Sequence, residues 1–174
     1  MAIQLFEQLA HLENWSYDPQ SIQRSLDEMQ MAGRMETVLT EPMIILDTAH
    51  NPQAIERLVD NMTESFHGSP IRILFSAINT KDIRSMVEAL HLIPHQEFAL
   101  TTFDHENAFS IDDLKELSLE GDSVLADWRS YLSEYMVENR SKDVLLITGS
   151  LYFISRVRQY LMNMNDNLLG GSFS

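Results

Sequence analysis

The chain has 174 residues, which is room for one domain of about 100 to 200 residues plus an appendage. It contains no cysteine, and this excludes a disulfide framework, Cys-ligated zinc, an iron–sulfur cluster and thiol catalysis. The 26 acidic residues outnumber the 12 basic ones, and the formal net charge of −14 repels phosphate backbones and anionic membranes, so neither nucleic acid nor a membrane is an expected partner.

The first part of the chain, residues 1–32, carries an amphipathic helical pattern followed by a second, acidic one. It lacks the pattern of a secretory leader, and together with the absence of cysteine this favours a cytoplasmic location. The next segment, Arg34–Leu39, alternates as a strand does, and a short Thr-Glu-Pro turn joins it to the following strand. We therefore predict an antiparallel edge strand here.

Four apolar runs of strand length are predicted to be strands buried on both faces: Met43–Asp47, Ile71–Ser76, Glu97–Thr102 and Asp143–Thr148. Helical periodicity fills the intervals and follows the last strand, which gives the order β-α-β-α-β-α-α-β-α. This alternation predicts an α/β fold with a Rossmann-like open, mostly parallel sheet, one antiparallel edge strand and helices on both faces. The polar tail, residues 163–174, is predicted to be disordered.

The most polar cluster of the sequence, Asp47-Thr48-Ala49-His50-Asn51-Pro52, lies where the first buried strand passes into a helix. Ligands of open α/β sheets bind outside the carboxyl ends of the strands. A carboxylate, an imidazole and an amide beside the free N–H groups of a helix N-terminus suit a nucleotide. The alternative is structural: Asp47 ends the strand, Asn51 caps the helix and His50 is a surface residue. The spacing leaves both interpretations open.

Three further residues near predicted strand ends are candidate anion contacts. Arg34, in Gly33-Arg34-Met35-Glu36, carries the guanidinium fork that suits phosphate oxygens. Lys81 begins a helix, and Ser150 follows a glycine as in half of a phosphate loop. Their structural alternatives are a surface arginine, a solvated loop and a helix cap. No phosphate-loop, dinucleotide, zinc-protease or serine-hydrolase motif occurs. The residues alone therefore predict an α/β domain with an anionic ligand at its strand ends.

Four motifs, in this order and spacing, resemble the C-terminal domain of folylpolyglutamate synthase/dihydrofolate synthase, a family that belongs with the Mur ligases. They are G-R-M-E at 33–36, P-M-I-I-L-D-T-A-H-N-P at 42–52, N-T-K-D at 79–82 and I-T-G-S-L-Y at 147–152. The resemblance implies an ATP-dependent amide ligase. In that reaction ATP with Mg²⁺ phosphorylates a carboxylate of dihydropteroate or a folate, and the amine of L-glutamate attacks the acyl phosphate.

The resemblance also implies which residues form the site. It assigns nucleotide binding and glutamate binding by position, the first to Arg34, Asp47, His50, Asn51 and Lys81, and the second to Ser150 and Tyr152. It assigns no catalytic residue and no metal ligand to this chain, because the phosphate loop and the Mg²⁺ ligands belong to the central domain of the family. Two departures are visible: Thr48 replaces a common glycine, and Asn107-Ala108 replaces Arg-Ala.

The resemblance divides the chain into three parts. Residues 1–32 correspond to the end of the central domain and a linker, residues 33–162 to the α/β domain of Mur ligase C-terminal type, and residues 163–174 to the tail. A polypeptide without the central ATPase domain is expected to be inactive as a ligase. The alternative is a stand-alone, non-catalytic nucleotide-binding or regulatory module of the same fold.

Overall fold

A computed structural model describes residues 33–78, 83–138 and 142–169. The strands of this part form one sheet: β1 Glu36–Thr40, β2 Met43–Asp47, β3 Ile71–Ser76, β4 Glu97–Thr101, β5 Ser123–Leu125 and β6 Val144–Gly149. The helices of the same part are α1 Pro52–Ser65, α2 Ile83–Leu90, α3 Ile111–Leu117, α4 Trp128–Val137 and α5 Leu151–Leu169.

The strand order across the sheet is β1-β2-β6-β3-β4-β5. β1 pairs with β2 antiparallel, and every other pair is parallel. The predicted fold class, with its antiparallel edge strand, is confirmed. The chain runs outward from β2 through β3, β4 and β5 and then returns to place β6 between β2 and β3. This reversal brings three carboxyl ends side by side, with Asp47 opposite Thr148 and Ser76 opposite Gly149.

The sheet is covered on both faces, because each central strand sends alternate side chains into one of two separate cores. One core joins the sheet to α1, α2 and α3, and it includes Ile55, Met86 and Leu114. The other joins the sheet to α4 and α5, and it includes Trp128 and Phe153. The burial of β6 throughout explains why its sequence is a continuous apolar run.

Two features differ from the sequence prediction. The strand β5 was not expected between the two consecutive helices, because it is a three-residue, half-buried edge strand without an apolar run. The last helix continues to Leu169, past residue 163 at which the tail is predicted to begin. The sequence of its last turns is largely polar, and a polar helix end resembles a disordered tail in composition.

Gly149, the last residue of β6, permits a close approach of two strands at the carboxyl edge. Its φ is +126°, and a Cβ added here would lie 2.0 Å from the carbonyl oxygen of Ser76 on β3. The backbone N–H of Ser150 donates to the same oxygen at 2.9 Å. A side chain at position 149 would therefore displace the strand end and the start of α5 together.

We predict that Gly149→Ala lowers the free energy of unfolding by roughly 3 kcal/mol or more, because the methyl group overlaps backbone and the residue keeps a strained φ. Gly121→Ala is the matched control. Its φ is +96° but no atom lies within 4 Å of the added Cβ, so only strain of about 1 to 2 kcal/mol is expected. Urea unfolding followed by circular dichroism measures both losses, and equal losses would contradict the argument.

Candidate functional site

Asp47 lies at the end of β2 and is buried, with 8% of its surface exposed. Its Oδ2 accepts a hydrogen bond from the backbone N–H of Met35 at 2.9 Å, and its Oδ1 accepts one from Ala49 at 2.7 Å. Burial raises the pKa of this carboxyl, while the two N–H groups and the nearby Arg34 act in the opposite direction. Each oxygen thus already has a backbone partner, and Asp47 joins two loops. Its direct contact with a nucleotide stays a prediction.

Arg34 occupies a tight turn that is bonded on both sides. The carbonyl of Gly33 accepts from the backbone N–H of Thr48 at 2.7 Å and from its hydroxyl at 2.8 Å. The N–H of Gly33 donates to Glu36 at 2.8 Å. Gly33 has a φ of +75°, and a Cβ there would lie 2.7 Å from the methyl carbon of Thr48. The turn is therefore fixed while the side chain of Arg34 stays exposed.

Thr48 replaces the glycine of the family motif, and its hydroxyl donates to the turn Gly33–Met35, which we call the arginine turn. The same turn is tied to the last helix, because Nε of Arg158 on α5 donates to Glu36 at 2.9 Å. Glu36 consequently bridges the N–H of Gly33 and the guanidinium of Arg158. The position of Arg34 depends on β2, on the loop after it and on α5.

His50 and Asn51 follow in the loop that enters α1. Asn51 is the N-cap of this helix, since its Oδ1 accepts from the N–H of Ala54 at 2.9 Å, and Pro52 occupies the first helical position. The structural interpretation of Asn51 is therefore confirmed. Nδ1 of His50 lies 2.7 Å from the carbonyl of Thr48, so Nδ1 carries the proton and Nε2 stays available to a ligand. A nucleotide contact of either residue stays a prediction.

A polar cavity of about 440 Å³ opens between the arginine turn, the end of β2 and one face of α1. Arg34, Asp47, His50 and Asn51 all line it, so the structure brings together four of the five predicted nucleotide residues. It adds Arg57 from α1, which the motifs did not indicate. The available signal was helical spacing, because Arg57 lies six residues after the cap, nearly two turns along the predicted helix.

An apolar cavity of about 230 Å³ lies beside the polar one. Its lining includes Ala77, Met86, Ser150 and Tyr152. His50 lines both cavities, and its imidazole therefore stands at the boundary between them. The two predicted glutamate-cleft residues thus lie next to the predicted nucleotide residues but in a separate, more apolar recess.

Ser150 and Tyr152 have different environments. Ser150 is buried, and its Oγ accepts from the N–H of Tyr152 at 3.3 Å, which agrees with the helix-cap interpretation. Tyr152 is 55% exposed, and its ring packs on that of His105 with centroids 4.7 Å apart. Of the two, Tyr152 presents the larger surface to a ligand. The substrate role of both residues stays a prediction.

Two other positions, Lys81 and Asn107, stand out in the sequence. Lys81 lies outside the described residues. Asn107, which replaces a family arginine, is exposed, and its N–H donates to Nδ1 of His105 at 3.1 Å. Within the described ranges no three His, Asp or Glu side chains gather into one cluster. No helix of the described part is long and apolar enough to cross a membrane.

Comparison with known families defines the class of this domain. Residues 33–151 match the family described as the Mur ligase, glutamate ligase domain. The chain belongs to this family. The matched range includes the arginine turn, the Asp47 loop and Ser150 of this Mur ligase domain.

Curated relatives identify the branch of the family. A dihydrofolate synthase/folylpolyglutamate synthase of Bacillus subtilis (strain 168) is 31% identical over 156 residues, which are 89% of this chain and 35% of that protein. A folylpolyglutamate synthase of Lacticaseibacillus casei is 26% identical over 171 residues, 93% of this chain and 37% of that protein. The resemblance to folylpolyglutamate synthase/dihydrofolate synthase is thereby confirmed. The chain spans about a third of the length of these relatives.

Solved structures share the fold of this Mur ligase domain. E. coli FolC in complex with ADP superposes with a TM-score of 0.76 at 19% identity, over 91% of this chain and 38% of that one. The bifunctional folylpolyglutamate synthase/dihydrofolate synthase of Yersinia pestis, complexed with AMPPNP and Mn, gives 0.74 at 23% identity, over 87% and 36%. These likenesses confirm the architecture of the sheet and its helices.

The electrostatic coupling of Arg34 to Asp47 gives a prediction for the Mur ligase domain itself. Arg34→Ala removes a cation that favours the carboxylate, so the pKa of Asp47, already raised by burial, rises further. A raised folded-state pKa means that stability falls as pH rises from the ordinary aspartate range to the folded pKa. Over this pH range the variant loses more of its free energy of unfolding than the wild type does. Below this range the two proteins are equally stable.

A pH titration of the Asp47 side-chain carboxyl by carbon NMR measures the shift, and urea midpoints across the same pH range measure the stability difference. Arg129→Ala, on the opposite face of the sheet, is the control. A pKa of Asp47 that is the same in Arg34→Ala and in wild type would show that the guanidinium does not stabilise the carboxylate.

Proposed function

We propose that this chain is the C-terminal domain of an ATP-dependent folylpolyglutamate/dihydrofolate synthase. The full enzyme ligates L-glutamate to a carboxylate of a folate or of dihydropteroate through an acyl phosphate. The single observation that carries the proposal is the polar cavity, in which Arg34, His50 and Asn51 surround the N-terminus of α1 within a Mur ligase domain. Residues 33–162 form the contributing domain.

The division of work follows from the chemistry that the cavity offers. A guanidinium on a hydrogen-bonded turn and the N–H groups of a helix start can hold phosphate oxygens. The domain therefore positions the nucleotide, with Arg34 as the main phosphate contact. Ser150 and Tyr152 form part of the glutamate cleft, while Mg²⁺ and the phosphate loop belong to the ATPase domain. The enzyme acts in the cytoplasm.

The ligands of the homologues support this assignment. A bifunctional folylpolyglutamate synthase/dihydrofolate synthase was solved with Mn, AMPPNP and L-glutamate bound, and E. coli FolC was solved with DHPP and ADP. Both proteins share the fold of this domain, with TM-scores of 0.73 and 0.75. ATP, glutamate and a pterin or folate carboxylate are accordingly the ligands that we propose for the complete enzyme.

The role of Arg34 can be tested in a hybrid in which this chain replaces the matched region of the Bacillus subtilis relative. Arg34→Gln is expected to lower kcat/KM for ATP about ten- to a hundredfold, because a charge-assisted contact to phosphate is lost. Arg129→Gln removes the same charge far from the cavity and is expected to have no effect. Unchanged kinetics in Arg34→Gln would make Arg34 a surface residue.

The 174-residue chain by itself is expected to show no glutamate-dependent ATP hydrolysis with dihydropteroate or tetrahydrofolate, since it carries no G-x-x-x-x-G-K-[ST] sequence. A coupled ADP-release assay measures this, with the Bacillus subtilis relative as positive control. Turnover by the chain alone would contradict the proposal that it only completes the site of a larger enzyme.

A further inference from the structure

The polar cavity contains a second guanidinium that no motif of the sequence indicates. Arg57 lies on α1 and faces the cavity with Ala54, Leu58 and Asn61, which recur at three- and four-residue steps after the cap Asn51. The turn that carries Arg34 also lines the cavity. Arg34, on a hydrogen-bonded turn, and Arg57, on a helix, thus line the same cavity although they lie far apart in the sequence.

The hydrogen bonds of Arg57 leave most of its donors available. Its Nε donates to the carbonyl of Gln53 one turn earlier, at 3.3 Å, and this weak bond directs the side chain along α1. In the described part of the chain Arg57 forms no ion pair, although Glu56 and Asp60 are close in sequence. The four Nη hydrogens are therefore available to an anion.

The local charge of the cavity is opposite to that of the chain. Arg34 and Arg57 line it, and Asp47 is the single acidic residue among its lining residues. Both oxygens of Asp47 accept backbone hydrogen bonds, and among the described residues no hydrogen bond or salt bridge joins this carboxylate to either guanidinium, although its charge acts on Arg34. In the part of the chain that the structure describes, neither guanidinium forms an ion pair, although the net charge of the chain is −14.

We infer that Arg57 is a second phosphate-binding residue and that the polar cavity holds a chain of two or more linked phosphates between Arg34 and Arg57. This inference rests on the proposed function and specifies which part of the nucleotide the cavity recognises. The volume of about 440 Å³ falls within the usual range of small-ligand sites and exceeds what one ion requires. Arg57 is a positioning and specificity residue with no role as acid or base.

Two guanidiniums around one cavity favour ligands that carry two linked phosphates. One phosphate can engage one guanidinium fork, whereas two linked phosphates engage both forks at once. The domain therefore binds ADP and inorganic tripolyphosphate more tightly than AMP, and only the first two depend on Arg57. The preference weakens with salt, because the contacts are between exposed charges.

The test uses the 174-residue chain with ADP, tripolyphosphate and AMP as probes. Amide shifts of Met35, Ala49 and Ala54 in nitrogen–proton NMR spectra locate the binding and give the dissociation constants. Arg57→Gln is expected to weaken ADP and tripolyphosphate about tenfold and to leave AMP unchanged. Arg57→Lys keeps the charge without the guanidinium fork, and its affinity for ADP and tripolyphosphate is expected to lie between those of wild type and Arg57→Gln. Arg129→Gln is the charge-matched control.

Each outcome decides the inference. If Arg57→Gln binds all three probes like wild type while Arg34→Gln weakens them, Arg57 is no phosphate contact, and the proposed function stands. If tripolyphosphate and ADP shift no amide of the cavity in the wild type, the two-arginine site is wrong. The kinetics of the hybrid ligase then test the proposed function separately. Equal weakening in Arg57→Gln and Arg129→Gln would show a non-specific effect of net charge and would also overturn the inference.

Discussion

The buried carboxylate of Asp47 is the interaction on which the arrangement of the site depends. Burying an ionised group costs free energy, and here the N–H groups of Met35 and Ala49, one on each oxygen, offset part of that cost. Those two N–H groups belong to the arginine turn and to the loop that enters α1. One side chain therefore fixes the relative positions of the arginine turn and the helix N-terminus, the two elements that we propose bind the anion.

The sequence made the fold class predictable because its apolar runs and helical periods agree with one another. The strands β2, β3 and β6 lie in the middle of the sheet, where burial on both faces requires apolar residues. Apart from Arg72 and the residues at their carboxyl ends, all three strands are apolar. The edge strand β5 was missed for the converse reason: Ser123–Leu125 is short and half-buried, so neither length nor hydrophobicity marks it. β5 pairs with β4, and this pairing cannot be read from the sequence of β5 because it depends on the edge that the rest of the sheet presents.

The site residues that are close together in the sequence were predictable, whereas Arg57, which only the folded chain brings to them, was not. Asp47, His50 and Asn51 are consecutive or nearly so, and a strand followed by a helix brings them to one place whatever the rest of the chain does. Arg57 needed three-dimensional information, because its membership of the cavity depends on which face of α1 turns toward the Gly33–Met35 turn. Local sequence likewise left Asn51 open between ligand contact and helix cap. The hydrogen bond that its Oδ1 accepts from the N–H of Ala54 shows the cap, while the ligand contact stays a prediction.

The ion pair between Arg158 and Glu36 bears on where this domain ends as a working unit. The family match stops at residue 151, at the first residue of α5, yet Arg158 lies two turns further on and reaches back to the carboxylate that holds Gly33. A fragment cut at the family boundary would keep the first three motifs and all of the fourth except Tyr152, and it would lose this ion pair. The smallest unit that preserves the geometry around Arg34 is therefore longer than the part of the chain that carries the family's recognisable sequence.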